Sequence, residues 1–168
     1  MSEKKELFKE ARVKYEAVFD LKELYKHAHD WLAWRKYDIT EKKYQEKVKP
    51  GPAKDIEILW AATRDIDEYT RFEIDVKWQV FNMIDVEAIQ AGKKVKMNQG
   101  EVNAYVTAWL VLDWQDKWEE KIMFKFLKSF YEKYLYKSTL ETLKGELWKE
   151  GWEFYNEIKA FLNLYKYK

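Results

Sequence analysis

His27 and His29 are the first residues in the 168-residue chain that could do chemistry, because they are its only imidazoles. On a helix, positions i and i+2 point about 200° apart, so the two cannot hold one metal together. Glu23 and Asp30 stand at helical spacing from His27 and are placed to orient it. The plainer reading is a surface histidine in a local charge pair. Asp65, Asp67 and Glu68 cluster in an expected turn, where a hard cation would find several oxygens. The ligand spacing of a calcium loop is absent, so a solvated turn accounts for them. Glu73, Asp75 and Glu87 fall on the charged parity of an expected strand and should pair across strands with lysine or arginine. Acid–base work by a carboxylate pair needs one buried member, and no acid lies on the apolar parity.

Lys93, Lys94 and Lys96 form one basic cluster, and Lys42, Lys43, Lys47 and Lys49 another. Basic residues among aromatics can bind single-stranded nucleic acid, but acids are interleaved throughout and the net charge is only +1. Solvated strand edges are the expected role, and no nucleic-acid partner is expected. There is no phosphate-cradling glycine loop, no G-x-S-x-G, no H-E-x-x-H and no cysteine. No catalytic residue, metal site or cofactor is therefore expected, and an enzyme is not the expected reading. The aromatic content stands out at 18%, enough to build either a dense core or a roomy cavity. Tyr15, Phe19, Trp60, Phe72, Trp78, Trp109, Trp114, Phe126, Phe130, Trp148, Trp152 and Tyr155 are the candidate lining of that core or cavity. Both outcomes use the same residues.

The elements that must position these residues centre on residues 69–114, two long strands meeting at Gln90-Ala91-Gly92-Lys93. In the first, Phe72, Ile74, Val76, Trp78, Val80, Ile84, Val86 and Ala88 share one parity. In the second, Val102 to Trp114 keep one parity at every second residue, while Val95 and Met97 have the other. A bulge at Gly100 would reset the register between them. Upstream, residues 1–11 read as a charged lead-in with a helical turn around Leu7 and Phe8, and residues 12–19 as a strand. Asp20 with Glu23 makes a capping-box pattern for a helix carrying Leu24, Ala28 and Leu32 and ending near Lys36 or Tyr37. Residues 39–48 read as a lysine-rich edge strand, Lys49-Pro50-Gly51-Pro52 as a turn, and residues 55–63 as a further strand.

After Trp114 the spacing turns helical through Ile122, Met123, Phe126, Leu127, Phe130, Tyr131 and Tyr134. Ser138 to Glu141 looks like a second capping box that opens a last helix. Its stripe is Leu140, Leu143, Leu147, Gly151, Tyr155, Ile158, Leu162 and Tyr165. The expected fold is a single α+β domain over residues 1–168, with element order β-α-β-β-β-β-α-α. It contains an antiparallel curved sheet of about five strands packed against a long C-terminal helix.

That element order resembles the helix-grip fold of START-like and pollen-allergen-like proteins over residues 12–164. The resemblance implies a cavity between sheet and final helix that takes a hydrophobic or amphipathic small molecule. Lys125-Phe126-Leu127-Lys128-Ser129-Phe130-Tyr131 and residues 134–162 are similar to uncharacterised archaeal proteins, a likeness that brings no activity with it. The alternative is a protein-interaction or homo-oligomeric assembly module anchored by off-stripe Trp34 and Trp118. Apolar runs such as residues 108–112 fall far short of the ~20 residues of a membrane span, and the charged N-terminus carries no signal-peptide core. The expected location is the cytoplasm.

Overall fold

The computed structural model describes residues 2–116, 126, 129, 130, 133 and 136–167. The chain runs β1 (Glu3–Phe19), α1 (Leu21–Trp34), β2 (Asp38–Val48), β3 (Lys54–Asp65), β4 (Thr70–Gln90), β5 (Lys93–Leu112) and α2 (Lys137–Asn163). All five strands form one antiparallel sheet in the order β1-β5-β4-β3-β2. The class is α+β. The expected helix over residues 122–134 and Trp118 lie outside the described residues, apart from Phe126, Ser129, Phe130 and Lys133. Among the described residues, no helix is long and apolar enough to cross a membrane.

Alternation decides which face of the sheet meets the helices. Ile56, Ile58, Trp60 and Ala62 of β3, Phe72 to Val80 of β4 and Val102 to Leu112 of β5, each at every second residue, pack beneath α1 and α2. Val13, Tyr15 and Phe19 of β1 complete that layer. Each fully buried large aliphatic or aromatic side chain contributes roughly 1.5–3 kcal/mol. From above come Leu24, Ala28 and Leu32 of α1, and Leu140, Leu143, Leu147, Phe154, Ile158 and Leu162 of α2. Asp20 caps α1 as expected, its Oδ1 accepting from the Glu23 N–H at 3.1 Å. At the hairpin turn, Ala91 (φ 50) and Gly92 (φ 77) both take positive φ, the pairing a two-residue turn with the sheet's own twist requires.

The structure differs from the sequence reading at five places. Residues 1–11 are no lead-in. Glu3 to Phe8 pair with Leu112 to Ala108 of β5, whose open edge recruits them over any local helical tendency. Trp114 does not continue β5, because Asp113 turns the chain with φ 50 directly after Leu112. Instead its indole donates to the Asp67 carbonyl at 3.0 Å, and the Arg71 guanidinium lies 3.9 Å from its ring.

The bulge near Gly100 sits in the partner strand: Phe81 pairs Glu101 and Ile84 pairs Gln99, so Asn82 and Met83 together oppose Gly100. Ile84, Val86 and Ala88 are thereby turned onto the other face, across from Val95 and Met97, which is why those two have the opposite parity. Finally, α2 begins at Lys137 after Tyr136, with no side-chain cap, so Ser138 lies inside the first turn. Phe154 takes the buried position expected of Tyr155.

Candidate functional site

The helices cover one face of the sheet, and on the other face three rows of side chains cross the middle strands. Thr107 of β5, Asp75 of β4 and Ala61 of β3 stand in register in the central row. Trp109 and Glu73 form the row on one side, and Tyr105, Lys77 and Leu59 the row on the other. Thr107 and Ala61 are short, so the central row sinks between two taller ones. The result is a groove of about 410 Å³ with Asp75 at its middle and aromatic rings on its flanks.

Both edge strands are irregular at this level. In β1 the register passes from Phe8–Ala108 to Ala11–Val106, so Lys9 and Glu10 together oppose Thr107, and Glu10 takes φ 49. The Glu10 N–H donates to Thr107 Oγ1 at 3.0 Å and holds the irregularity in place. In β2, Lys42 is the extra residue between the pairs Glu41–Trp60 and Lys43–Leu59. A bulge re-aims the side chains it carries. Lys9, Glu10 and Lys42 all line the groove.

The two carboxylates are handled differently. Glu73 Oε1 accepts from Lys4 Nζ at 2.9 Å and is largely buried. Asp75 makes no ion pair with a described residue, and its Oδ2 accepts from the Trp109 indole N–H at 2.9 Å. Burial pushes the Asp75 carboxyl up to about 6; the neighbouring charge of Glu73 adds to the rise, and Lys4 and the indole oppose it. An acid with that midpoint can hold or release a proton near neutral pH. A perturbed carboxyl in a hollow with aromatic walls is what a functional site commonly looks like.

The sequence candidates divide between several places. Tyr15, Phe19, Trp60, Phe72 and Trp78 are buried between sheet and helices, with the Trp60 and Trp78 rings 5.4 Å apart. Trp152 and Tyr155 are half-buried on α2, where Phe8 stacks 4.8 Å from Trp152. Phe126 is 75% exposed, Phe130 49% and Trp148 52%. Trp109 lies on the opposite face, in the groove. At the sheet–helix boundary, a polar-walled hollow of about 240 Å³ opens at the β1 edge between Tyr15 and Leu162. Another of about 440 Å³ lies beside the Asn82–Met83 bulge, walled by Glu16, Asn82, Gln99 and Glu101.

His27 has a different partner from the ones expected: its Nε2 lies 2.9 Å from Glu157 of α2, and its ring stacks on Phe161. Asp67 builds the β3–β4 turn, its Oδ1 accepting from the N–H groups of Tyr69 and Thr70. Among the described residues, no group of three metal-ligating side chains converges. Reading one face at a time put Asp75 in a cross-strand ion pair and Lys42 on a solvated edge, and did not single out Lys9. One signal was present. Tyr105, Trp109 and Val111 interrupt what should be the wet parity of β5, the pattern of a strand covered on both faces.

Comparison of the chain with protein-family models, with curated proteins and with solved structures finds no match.

Proposed function

We propose that the protein is a non-enzymatic binder of an amphipathic small molecule, taken up in the groove between Trp109 and Tyr105. The groove itself carries this reading. Its volume falls in the roughly 300–1,000 Å³ range of small-molecule sites, and a few polar groups converge within aromatic and aliphatic walls. The helix-grip resemblance would put the ligand on the helix side of the sheet instead. On that side, however, Trp60, Trp78, Phe72 and Phe154 are packed together and fully buried. The Trp78 indole N–H is nevertheless buried without an acceptor, so the helix side needs its own readout.

Indole N–H resonances supply both readouts at once. Decyl maltoside, added below its micellar concentration to ¹⁵N-tryptophan-labelled protein, should move the Trp109 signal saturably and leave Trp78 in place. A Trp109→Phe variant identifies the resonance. Movement of Trp78 with Trp109 unmoved would relocate the ligand to the helix side, and no saturable movement at all would end the binding reading.

A second reading, self-association, draws on Trp34, Phe126, Phe130 and Trp148, all exposed among the described residues. The same spectra of ligand-free protein at low and high concentration decide it. Concentration-dependent shifts of Trp34 and Trp148 support assembly, and superimposable spectra exclude it.

A further inference from the structure

Resting on that reading of the groove, we infer that the ligand's polar end is an anion, a carboxylate, sulfate or phosphate, clasped by Lys9 and Lys42 from opposite edges of the sheet. The geometry comes from alternation at the two edges. Phe8 packs on the helix side, so Lys9 after it faces the groove opposite Thr107, and Glu41 pairs with Trp60, so Lys42 after it faces the groove beside Leu59. The bulges add a second residue at each place, Glu10 in β1 and Lys43 in β2. Two edge strands that are not neighbours thus bring lysines to one hollow.

The charges around the groove point the same way. Glu73 is answered by Lys4 at 2.9 Å. Asp75 takes an indole N–H and sits where burial disfavours its charge. Lys77 lies 5.1 Å from the Tyr105 ring, and Glu10 lines the same groove. Lys9 and Lys42 remain, and neither forms an ion pair with a described residue. With Asp75 ionised at pH 8, Lys9, Lys42, Lys77 and the Glu73-bound Lys4 outnumber Glu10, Glu73 and Asp75 by one, so the balance is positive, above walls that are aromatic and aliphatic. That is the complement of a single molecule with an apolar body and an anionic head.

Three probes of equal chain length separate this inference from the reading beneath it: decanoate, decyltrimethylammonium and decyl maltoside, each below its micellar concentration at pH 8, followed at the Trp109 indole N–H. Decanoate should bind tightest. The double substitution Lys9→Gln, Lys42→Gln should weaken decanoate about tenfold or more, the loss of one to two charge-assisted contacts, and leave decyl maltoside unchanged. These lysines are exposed and support no buried contact, so the variant should fold, and its unchanged indole spectrum verifies that. If the cationic or neutral probe binds as tightly as decanoate, or the double variant keeps full decanoate affinity, the anion inference falls while the groove stands. If no probe moves Trp109, both fall. Sedimentation with phosphatidylglycerol vesicles, combined with indifference to decanoate, would replace the single molecule with a membrane surface and overturn the inference.

Discussion

Asp75 looks in the sequence like Glu73 or Glu87, one acid among several on a charged strand face. Its difference comes from its neighbours in space: it lies low between the taller Glu73–Trp109 and Lys77–Tyr105 rows, and the charge of Glu73 adds to the cost of that burial. The ordinary value of 3.8 rises to about 6. Between those values the folded protein holds a proton that the unfolded chain has released. Stability therefore falls as pH rises from about 4 to about 6, and the full cost is present above that. Asp75→Asn keeps an acceptor for the indole and removes the buried charge. It should stabilise the protein by about 1 kcal/mol at pH 7.5, a figure discounted because the carboxyl keeps part of its water. The gain should vanish near pH 4. Urea denaturation at both pH values measures it; an equal gain at both would mean that burial of the charge is not the cause.

At the scale of elements, the sheet is shaped by its irregularities and by the glycines that permit close approach. A Cβ at Gly100 would lie 2.8 Å from the Phe81 carbonyl oxygen and 3.0 Å from Met83 Cα, both backbone atoms of the opposing bulge. A Cβ at Gly151 of α2 would meet the Phe8 ring at 2.6 Å, a side chain with some room to shift. At Gly145 there is nothing within 4 Å. Alanine substitutions should therefore separate in sign. Gly100→Ala should cost about 2–3 kcal/mol, Gly151→Ala about 1 kcal/mol after its helix-propensity gain, and Gly145→Ala should add about 0.5–1 kcal/mol. Thermal unfolding ranks the three, and Gly100→Ala melting no lower than Gly145→Ala would refute the bulge's dependence on glycine. Sequence pattern placed a register change at Gly100 because Met97 and Val102 disagree in parity. It could not say which strand carries the extra residue, since either choice reconciles the pattern.

For the molecule as a whole, the long helix must be held at one angle over the sheet, and one polar cluster does this at the β3 end. Arg64 donates to Glu150 Oε1 at 3.0 Å and to the Arg35 carbonyl at 3.0 Å, while the Tyr37 hydroxyl donates to Glu150 Oε2 at 2.6 Å. Burial, with the Glu150 carboxylate beside it, pushes the Tyr37 phenol well above its ordinary range. Glu150 is only 8% exposed, so removing it leaves the buried Tyr37 hydroxyl without its acceptor and takes the nearest carboxylate from the largely buried Arg64. Glu150→Ala should cost about 3 kcal/mol, whereas Glu146→Ala, whose carboxylate is half exposed and 3.6 Å from Arg64, should cost under about 1 kcal/mol. Chemical denaturation of the two variants makes the comparison, and similar losses would show that the cluster does not act through burial.

Much of this protein follows from residue spacing alone. Period two makes Ile56 to Ala62 and Phe72 to Val80 strands with one apolar face, period 3.6 makes the stripes of α1 and α2, and Asp20 starts α1. Gly92 places the hairpin. These are local decisions, because an alternating or helical pattern has only one face to bury wherever its partner comes from. The tertiary structure decided what depends on partners far along the chain. The pairing of β1 with β5 turned Glu3 to Phe8 into strand. The bulge at Asn82–Met83 sent Val86 to the opposite face, and Arg64 made Glu150 a tolerable buried acid. The groove belongs to this second group, since it needs Lys9, Ala61, Asp75 and Thr107 brought side by side from four strands. Only strand register does that, and register is set between segments rather than within them.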